Sequence, residues 1–446
     1  MNERNATISK GVDWSLAWIY LLLVTVGITA IFAVTYKEGD PFAASFLGFK
    51  TDYSKQFYFF VASGIIGIFI LLTDSKFFTA TANLWYAFGI LLLLLVFPFH
   101  SRVKGTESII RFGGFQFQPA EFCKICVCLA LAKYLSRPDT DFTKTRAQLI
   151  AAGIVLFPAM LTVMQSETGL ALVYFSFFIV MYREGLPSTI LVIGFSLAAL
   201  VVATLLLEKN ILALILTAIA VLFIYYMVRQ TRRRRFIVFY IVMLWLVCVG
   251  VQRFGVPFAF KHVLKSYQVE RIYSTVGKEV PTEYVRAHEK EMTIQTGKKK
   301  DPDYNVKQSK IAIGSGGLTG KGLLRSTQTR YGFVPEQRTD FIFDTIGEGF
   351  GFVGSILLLA VYLLLLFRIV TMAERQRSVF SRCYAYGVAA VFFFHLVINI
   401  GMAIGLAPVI GIPLPFISYG GTSLMTFTIL LFILIRLDAD RQMVLR

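Results

Sequence analysis

Three carboxylates, Asp340, Asp344 and Glu348, recur at four-residue spacing where a polar stretch gives way to a long apolar run. On a helix that spacing puts all three on one face. The last two enter the apolar run, where ionisable groups are costly and usually meet a cavity or a partner. Acids held together raise the pKa of one of them, which suits a general base taking a proton from a hydroxyl nucleophile. A plainer reading stands beside it: Thr339 or Asp340 caps a helix, and the other acids form buried ion pairs without a catalytic role. Arg338 lies two residues before Asp340, in the segment Pro335-Glu-Gln-Arg338-Thr-Asp340.

A second set is Glu121 and Lys124, one helical turn apart just after Pro119, a residue suited to a first turn. They either satisfy each other as an i,i+3 pair or, with Arg111, border a site for an anionic headgroup. The turn Gln165-Ser-Glu167-Thr-Gly169 places another carboxylate at a span end, and His395 and Asn399 share a face suited to interhelical hydrogen bonds. Several familiar sites fail. The four histidines form no HExxH pair, and Cys123-x-x-Cys126 has no second ligand pair for zinc. The run from Gly314 to Gly322 superficially resembles a phosphate-binding loop. It has Ser315 where the first glycine is required and Gly322 where the magnesium-binding hydroxyl should be.

The elements that must position these groups are membrane spans. Of the 446 residues, 56% are hydrophobic and 16% charged, with 42 Phe; soluble domains carry about 25% charged residues. Mean hydropathy is +0.66. Soluble enzymes, disordered chains and disulfide-rich secreted domains are excluded, and an all-α polytopic membrane protein is expected. Runs of about 20 apolar residues predict about twelve spans, near 14–35, 57–73, 81–99, 119–136, 147–164, 169–182, 186–207, 211–228, 236–252, 341–367, 384–407 and 416–435. The domains read as a bundle over 1–252, one long loop over 253–340 and three further spans over 341–446. Within the loop, 274–303 reads as a solvated excursion, and 304–340 is richer in glycine.

Net charge is +17. With the N-terminus inside, the inside segments hold 20 Lys and Arg and the short outside loops 7. The 16 of residues 253–340 carry little weight in such a count. The asymmetry predicts both termini in the cytoplasm and the long loop outside. Pro413 and Pro415 should stiffen an exterior loop before the last span.

Six segments, in this order, resemble the SEDS family (shape, elongation, division and sporulation), the RodA/FtsW group. They are Phe117-Gln-Pro-Ala-Glu121-Phe-Cys-Lys124, Gln165-Ser-Glu-Thr-Gly169, Tyr267-Gln-Val-Glu-Arg271-Ile, Gln308-Ser-Lys-Ile-Ala-Ile-Gly314-Ser-Gly-Gly, Phe333-Val-Pro-Glu336-Gln-Arg-Thr-Asp340-Phe-Ile-Phe343 and Gly411-Ile-Pro-Leu-Pro-Phe-Ile-Ser-Tyr-Gly-Gly421. The resemblance implies a peptidoglycan glycosyltransferase in the bacterial cytoplasmic membrane, working on lipid II at the outer face with a class B penicillin-binding protein. It makes Asp340 the base that activates an acceptor hydroxyl, with inversion at the donor and undecaprenyl pyrophosphate as leaving group. Lys124, Arg111, Arg271, Lys321 and Arg338 are the candidate cations for that diphosphate. Glu121, Glu167, Asp344 and Glu348 complete the candidate substrate-binding set. No cofactor follows from the residues; magnesium or manganese could neutralise the diphosphate, but no ligand cluster is evident.

Four departures accompany the resemblance. Ile109 follows Ser108 where the family usually has Trp, Asp344 replaces a small residue, Glu167 stands for Asp, and twelve spans exceed the usual ten. A hairpin near 186–228 would account for the extra two. The general resemblance leans to the elongation, RodA-like branch over division. A lipid II flippase and a scaffold that recruits the penicillin-binding protein are the competing classes. If Asp344 is charged beside Asp340, removing it should lower the acid limb of a pH–rate profile.

Overall fold

The computed structural model describes residues 11–36, 46, 48–99, 101–103, 106–112, 115–230, 234–264, 269, 273, 280–281, 284, 304–407 and 409–441. The chain divides into two compact units, one of Met1–Leu186 with Asn305–Arg446 and one of Pro187–Tyr304. The first begins with helices α1 (Trp14–Thr35), α2 (Asp52–Leu72) and α3 (Ser75–Phe99). Three short strands follow, β1 (Ser101–Val103), β2 (Thr106–Phe112) and β3 (Phe115–Phe117). Then come α4 (Pro119–Leu135), α5 (Thr145–Met164), α6 (Thr168–Tyr174) and α7 (Phe177–Arg183).

The second unit holds α8 (Ser188–Leu206), α9 (Lys209–Gln230) and α10 (Arg234–Gly250), the last continued by wider turns to Val263. Its small core gathers Leu205, Val256, Phe260, Val269, Tyr273 and Tyr284. The hairpin expected near 186–228 is α8 and α9. The first unit resumes with α11 (Tyr304–Ser315), and ends with α12 (Ile342–Arg375), α13 (Val379–Ile404) and α14 (Gly421–Ala439).

Among the described residues ten helices are at least 18 residues long and apolar enough to cross a membrane, so the count of twelve is not confirmed. The two shortfalls have physical causes. Helix α4 has 17 residues, about 25 Å at 1.5 Å each, and carries Glu121, Lys124 and Lys133. The segment Thr168–Arg183 breaks at Phe175 and Ser176 into two seven-residue helices. The loop boundary also moves, because the apolar helix that begins at Val238 runs to His262. The antiparallel order β1-β2-β3 was not expected from the sequence. Strands β2 and β3 pair antiparallel with Phe112 opposite Phe115.

Helix α4 is enclosed by α3, α5, α13 and α14, and nearly every residue from Pro119 to Ala132 is buried. A helix buried all round belongs at the centre of a bundle. At one end of the unit, ion pairs tie the helix termini: Arg375 Nε donates to Asp438 at 2.8 Å, and Arg375 also reaches Asp13 at 3.1 Å. Arg382 holds Glu184 at 2.8 Å. The sequence-derived acids and the 411–420 segment lie at the other end.

Candidate active site

The segment 411–420, expected as a stiff loop before the last span, is buried within the protein: Ile412, Leu414 and Ile417 are fully enclosed. Irregular backbone at that depth requires partners for its polar groups, and side chains supply them. His395 contacts the Pro413 carbonyl at 3.0 Å, Tyr362 donates to that of Pro415, and Gln56 donates to that of Ser418 at 3.3 Å. The Gln56 side-chain oxygen in turn accepts from Gly420 N–H at 3.2 Å. Phe416 packs edge-on against Tyr20 at 5.1 Å and beside Phe392 at 5.3 Å, which anchors the segment in the core.

This segment holds Asp340. The turn before α12 returns Thr339, Asp340 and Phe341 N–H to the Glu336 carbonyl, and Glu336 sits at φ 56°. Asn399 spends both amide hydrogens across the junction, 2.8 Å to the Asp340 carbonyl and 2.7 Å to that of Ile412. Ser418 Oγ donates to the Thr339 carbonyl at 2.5 Å and accepts from Leu414 N–H at 2.8 Å. Tyr419 N–H closes the set on the Arg338 carbonyl at 2.9 Å. Gly411 faces the carboxylate itself: a Cβ there would lie 3.2 Å from Asp340 Oδ2, and its φ of 76° suits glycine.

The carboxylate ladder divides. Asp340 precedes the helix and faces Gly411, whereas Asp344 and Glu348 face the chain between 304 and 329. Both are fully buried, so neither carboxyl group faces a ligand from outside. Glu348 accepts from Lys321 Nζ at 2.9 Å and from the backbone N–H groups of Thr327, Gln328 and Thr329 at 2.8 to 2.9 Å. Lys321 also bonds Ser315 and Thr327. These two residues clamp a loop through bonds within the chain.

The glycine run resembling a phosphate loop has a packing role. Gly320 and Gly316 press against the backbone of α12, and Gly351 there adopts φ 67°. Phe352 and Val353 N–H leave the helix ladder to bond the carbonyls of Gly317 and Leu318 at 2.9 and 3.1 Å. That exchange kinks α12.

Lys124 is fully buried. Its Nζ lies 2.7 Å from Glu121 Oε2 and 2.9 Å from His395 Nε2, with the Phe427 ring centroid at 5.2 Å. The pair therefore forms part of a buried core network with His395. Because His395 also meets the Pro413 carbonyl, this network supports the segment that carries Gly411. Glu167 accepts from Ser108 Oγ at 2.5 Å and Gln118 Nε2 at 3.2 Å, while Gly169 presses on the Ile410 carbonyl beside Gly411.

Among the candidate cations, Arg111 is exposed on β2 opposite Gln116. Arg338 pairs with Asp52 and remains about half exposed. It borders an open depression of about 390 Å³ lined by Asp52, Gly332, Val334 to Thr339 and Tyr419. Burial, reinforced by the Asp52 charge, pushes the Tyr419 phenol up to about 12. Arg271 lies outside the described residues. Gln56, Ser309 and Ser418 were not singled out; only Ser418 carried a local signal, a small polar residue after the apolar Pro415-Phe-Ile. Among the described residues no group of three or more His, Cys, Asp or Glu could hold a metal ion.

Comparison with known proteins places this geometry in context. The family model of the FtsW/RodA/SpoVE cell cycle proteins matches residues 13–240 and 189–443. A peptidoglycan glycosyltransferase RodA of Treponema pallidum is 30% identical, over 96% of this chain and 97% of its own. A peptidoglycan glycosyltransferase MrdB of Escherichia coli K12 is 29% identical, over 80% of this chain and 78% of its own. A chain from a solved peptidoglycan synthase complex, described as coordinating polymerization and crosslinking, has the same fold. It matches with a TM-score of 0.66 and 22% identity, covering 96% of this chain and 98% of that one.

Proposed function

This chain belongs to the FtsW/RodA/SpoVE family, and from that membership we propose that it is a multi-pass membrane peptidoglycan glycosyltransferase polymerising lipid II. The charge asymmetry supports cytoplasmic termini, with Asp340 at the outer face of the cytoplasmic membrane. The observation that carries the mechanism is how Asp340 is held. Its backbone is fixed by Asn399, Ser418 and the Glu336 turn, and its carboxylate lies against Gly411, where a side chain would crowd it. A base positioned this firmly can contribute about 10²–10⁴-fold.

In the reaction, Asp340 takes the proton of the acceptor sugar's hydroxyl as that oxygen attacks the donor's anomeric carbon. The configuration inverts and undecaprenyl pyrophosphate leaves. Of the described candidate cations, Arg338 and Arg111 are the more exposed and are placed to meet its charge. A magnesium or manganese ion would arrive on the diphosphate rather than in a protein cage. A class B penicillin-binding protein supplies transpeptidation, and the RodA and MrdB relatives favour the elongation branch. The transport reading is weakened because the fully buried Lys124 ammonium is already held by Glu121 and His395.

The test is lipid II polymerisation by purified protein with its penicillin-binding protein. Wild type should make glycan chains and Asp340→Asn should make none, with both variants folded. Chains from Asp340→Asn would remove the assigned base; chains from neither would move the reading to a flippase or scaffold.

A further inference from the structure

Ser309, on α11, has one hydroxyl hydrogen and two oxygen neighbours at donor distance. Its Oγ lies 2.7 Å from Asp344 Oδ1 and 2.7 Å from the Ala403 carbonyl. A carbonyl only accepts, and a serine hydroxyl donates once but can also accept. If Asp344 were a carboxylate, the single hydrogen would serve one contact. The other would bring two lone-pair oxygens together without a proton.

The surroundings favour a different count. Asp344 is fully buried, and its Oδ2 has no hydrogen-bond partner. No described cation forms an ion pair with it. Lys307 and Lys310 of α11 are exposed, and the end of the Lys310 chain lies against Gly405. Glu348, one turn along, is an acid already committed to Lys321. The first turn of α12 favours an anion, but weakly beside the cost of a buried, unpaired carboxylate.

Ala403 supplies the other half. It lies in the last turn of α13, where carbonyls lack helical partners. The following N–H groups of Gly405, Leu406 and Ala407 go to Met402 and Gly401 instead. Ser309 therefore caps the Ala403 carbonyl, and its own oxygen is left to accept.

We propose that Asp344 is a neutral carboxylic acid whose proton goes to Ser309, so that Ser309 can cap α13 and join α11, α12 and α13. Asp344 is then a positioning residue. Beyond α13 the chain passes Ile410, whose N–H meets Met402 Sδ at 3.1 Å, and reaches Gly411 against Asp340. The positioning role rests on the proposed polymerase reading; the protonation does not. It also reverses the earlier expectation for Asp344: a neutral acid exerts no charge on Asp340, and the acid limb of the pH–rate profile should stay in place on its removal.

Infrared difference spectra of the purified protein near neutral pH test the proton directly. Wild type minus Asp344→Asn should show a carboxylic-acid C=O stretch, with no carboxylate band lost. Loss of a carboxylate band instead overturns the proposal, whatever the activity. In the polymerisation assay, Asp344→Asn keeps a donor for Ser309 and should turn over within about twofold of wild type. Asp344→Leu and Ser309→Ala should each lower kcat about tenfold with KM for lipid II little changed. The double variant should be no worse than Asp344→Leu alone. Asp344→Asn as impaired as Asp344→Leu overturns the positioning role. An acid band in a protein without polymerase activity upholds the proton and sinks the polymerase reading.

Discussion

Asn399→Leu isolates what holds the Asp340 turn. Leucine has a similar size but no donor, and the site is fully buried. The asparagine amide now serves two carbonyls, 2.8 Å to Asp340 and 2.7 Å to Ile412. Each buried carbonyl left without a donor costs about 1–3 kcal/mol, or roughly 2–6 kcal/mol for both if nothing moves. Relief requires the turn or the 411–420 segment to shift toward another donor. A shift of about 1 Å in a reacting group can cost about 10²-fold in rate. The substitution should therefore lower the unfolding temperature, the turnover number, or both. Thermal unfolding of the purified protein and lipid II polymerisation with the penicillin-binding protein measure the two. Asn399→Asp sharpens the test, because it replaces a donor pair by acceptors facing two carbonyls, and it should be worse than leucine. Asn399→Leu matching wild type in both assays, or Asn399→Asp outperforming it, would refute the reasoning.

Gly411→Ala places a methyl 3.2 Å from Asp340 Oδ2 on a residue at φ 76°. Left-handed backbone costs a non-glycine residue about 1–2 kcal/mol, and we expect polymerisation to fall about tenfold; unchanged turnover would show that Asp340 does not depend on that gap. Glu348→Ala removes the acceptor of three backbone N–H groups and of Lys321. Bonds to charged groups contribute about 1.5–3 kcal/mol each, so the loop should open and trypsin should cut at Lys321, Arg325 or Arg330 at least tenfold faster. A cleavage pattern like that of wild type, read by mass spectrometry, would show that the clamp is dispensable.

Much of the fold was legible because crossing a bilayer imposes a long apolar run that sequence displays directly. Span positions for α1, α5, α8 and α9 agree closely with the helices, and the charge asymmetry needs no coordinates. A span rule based on length and hydropathy passes over a central helix that departs from it. Helix α4 is short and carries a lysine and two further charged side chains because other helices, rather than lipid, surround it. The strands of 101–117 were hidden by their brevity, three residues in two of the three.

Residue types and order determined which groups stand out locally: Asp340, the Glu121–Lys124 pair, Glu167 and the Pro413–Gly421 run. Their relations were decided by tertiary structure. Four-residue spacing places Asp344 and Glu348 together, but helical periodicity says nothing once the chain leaves the helix, and Asp340 lies before it begins. The same spacing cannot distinguish a lysine facing a ligand from one enclosed by Glu121, His395 and Phe427. Nor can a glycine-rich run reveal whether its bare backbone receives phosphate or another backbone, here that of α12. Partners such as Asn399 and Asp340, 59 residues apart, meet only because the bundle buries carbonyls that some side chain must satisfy.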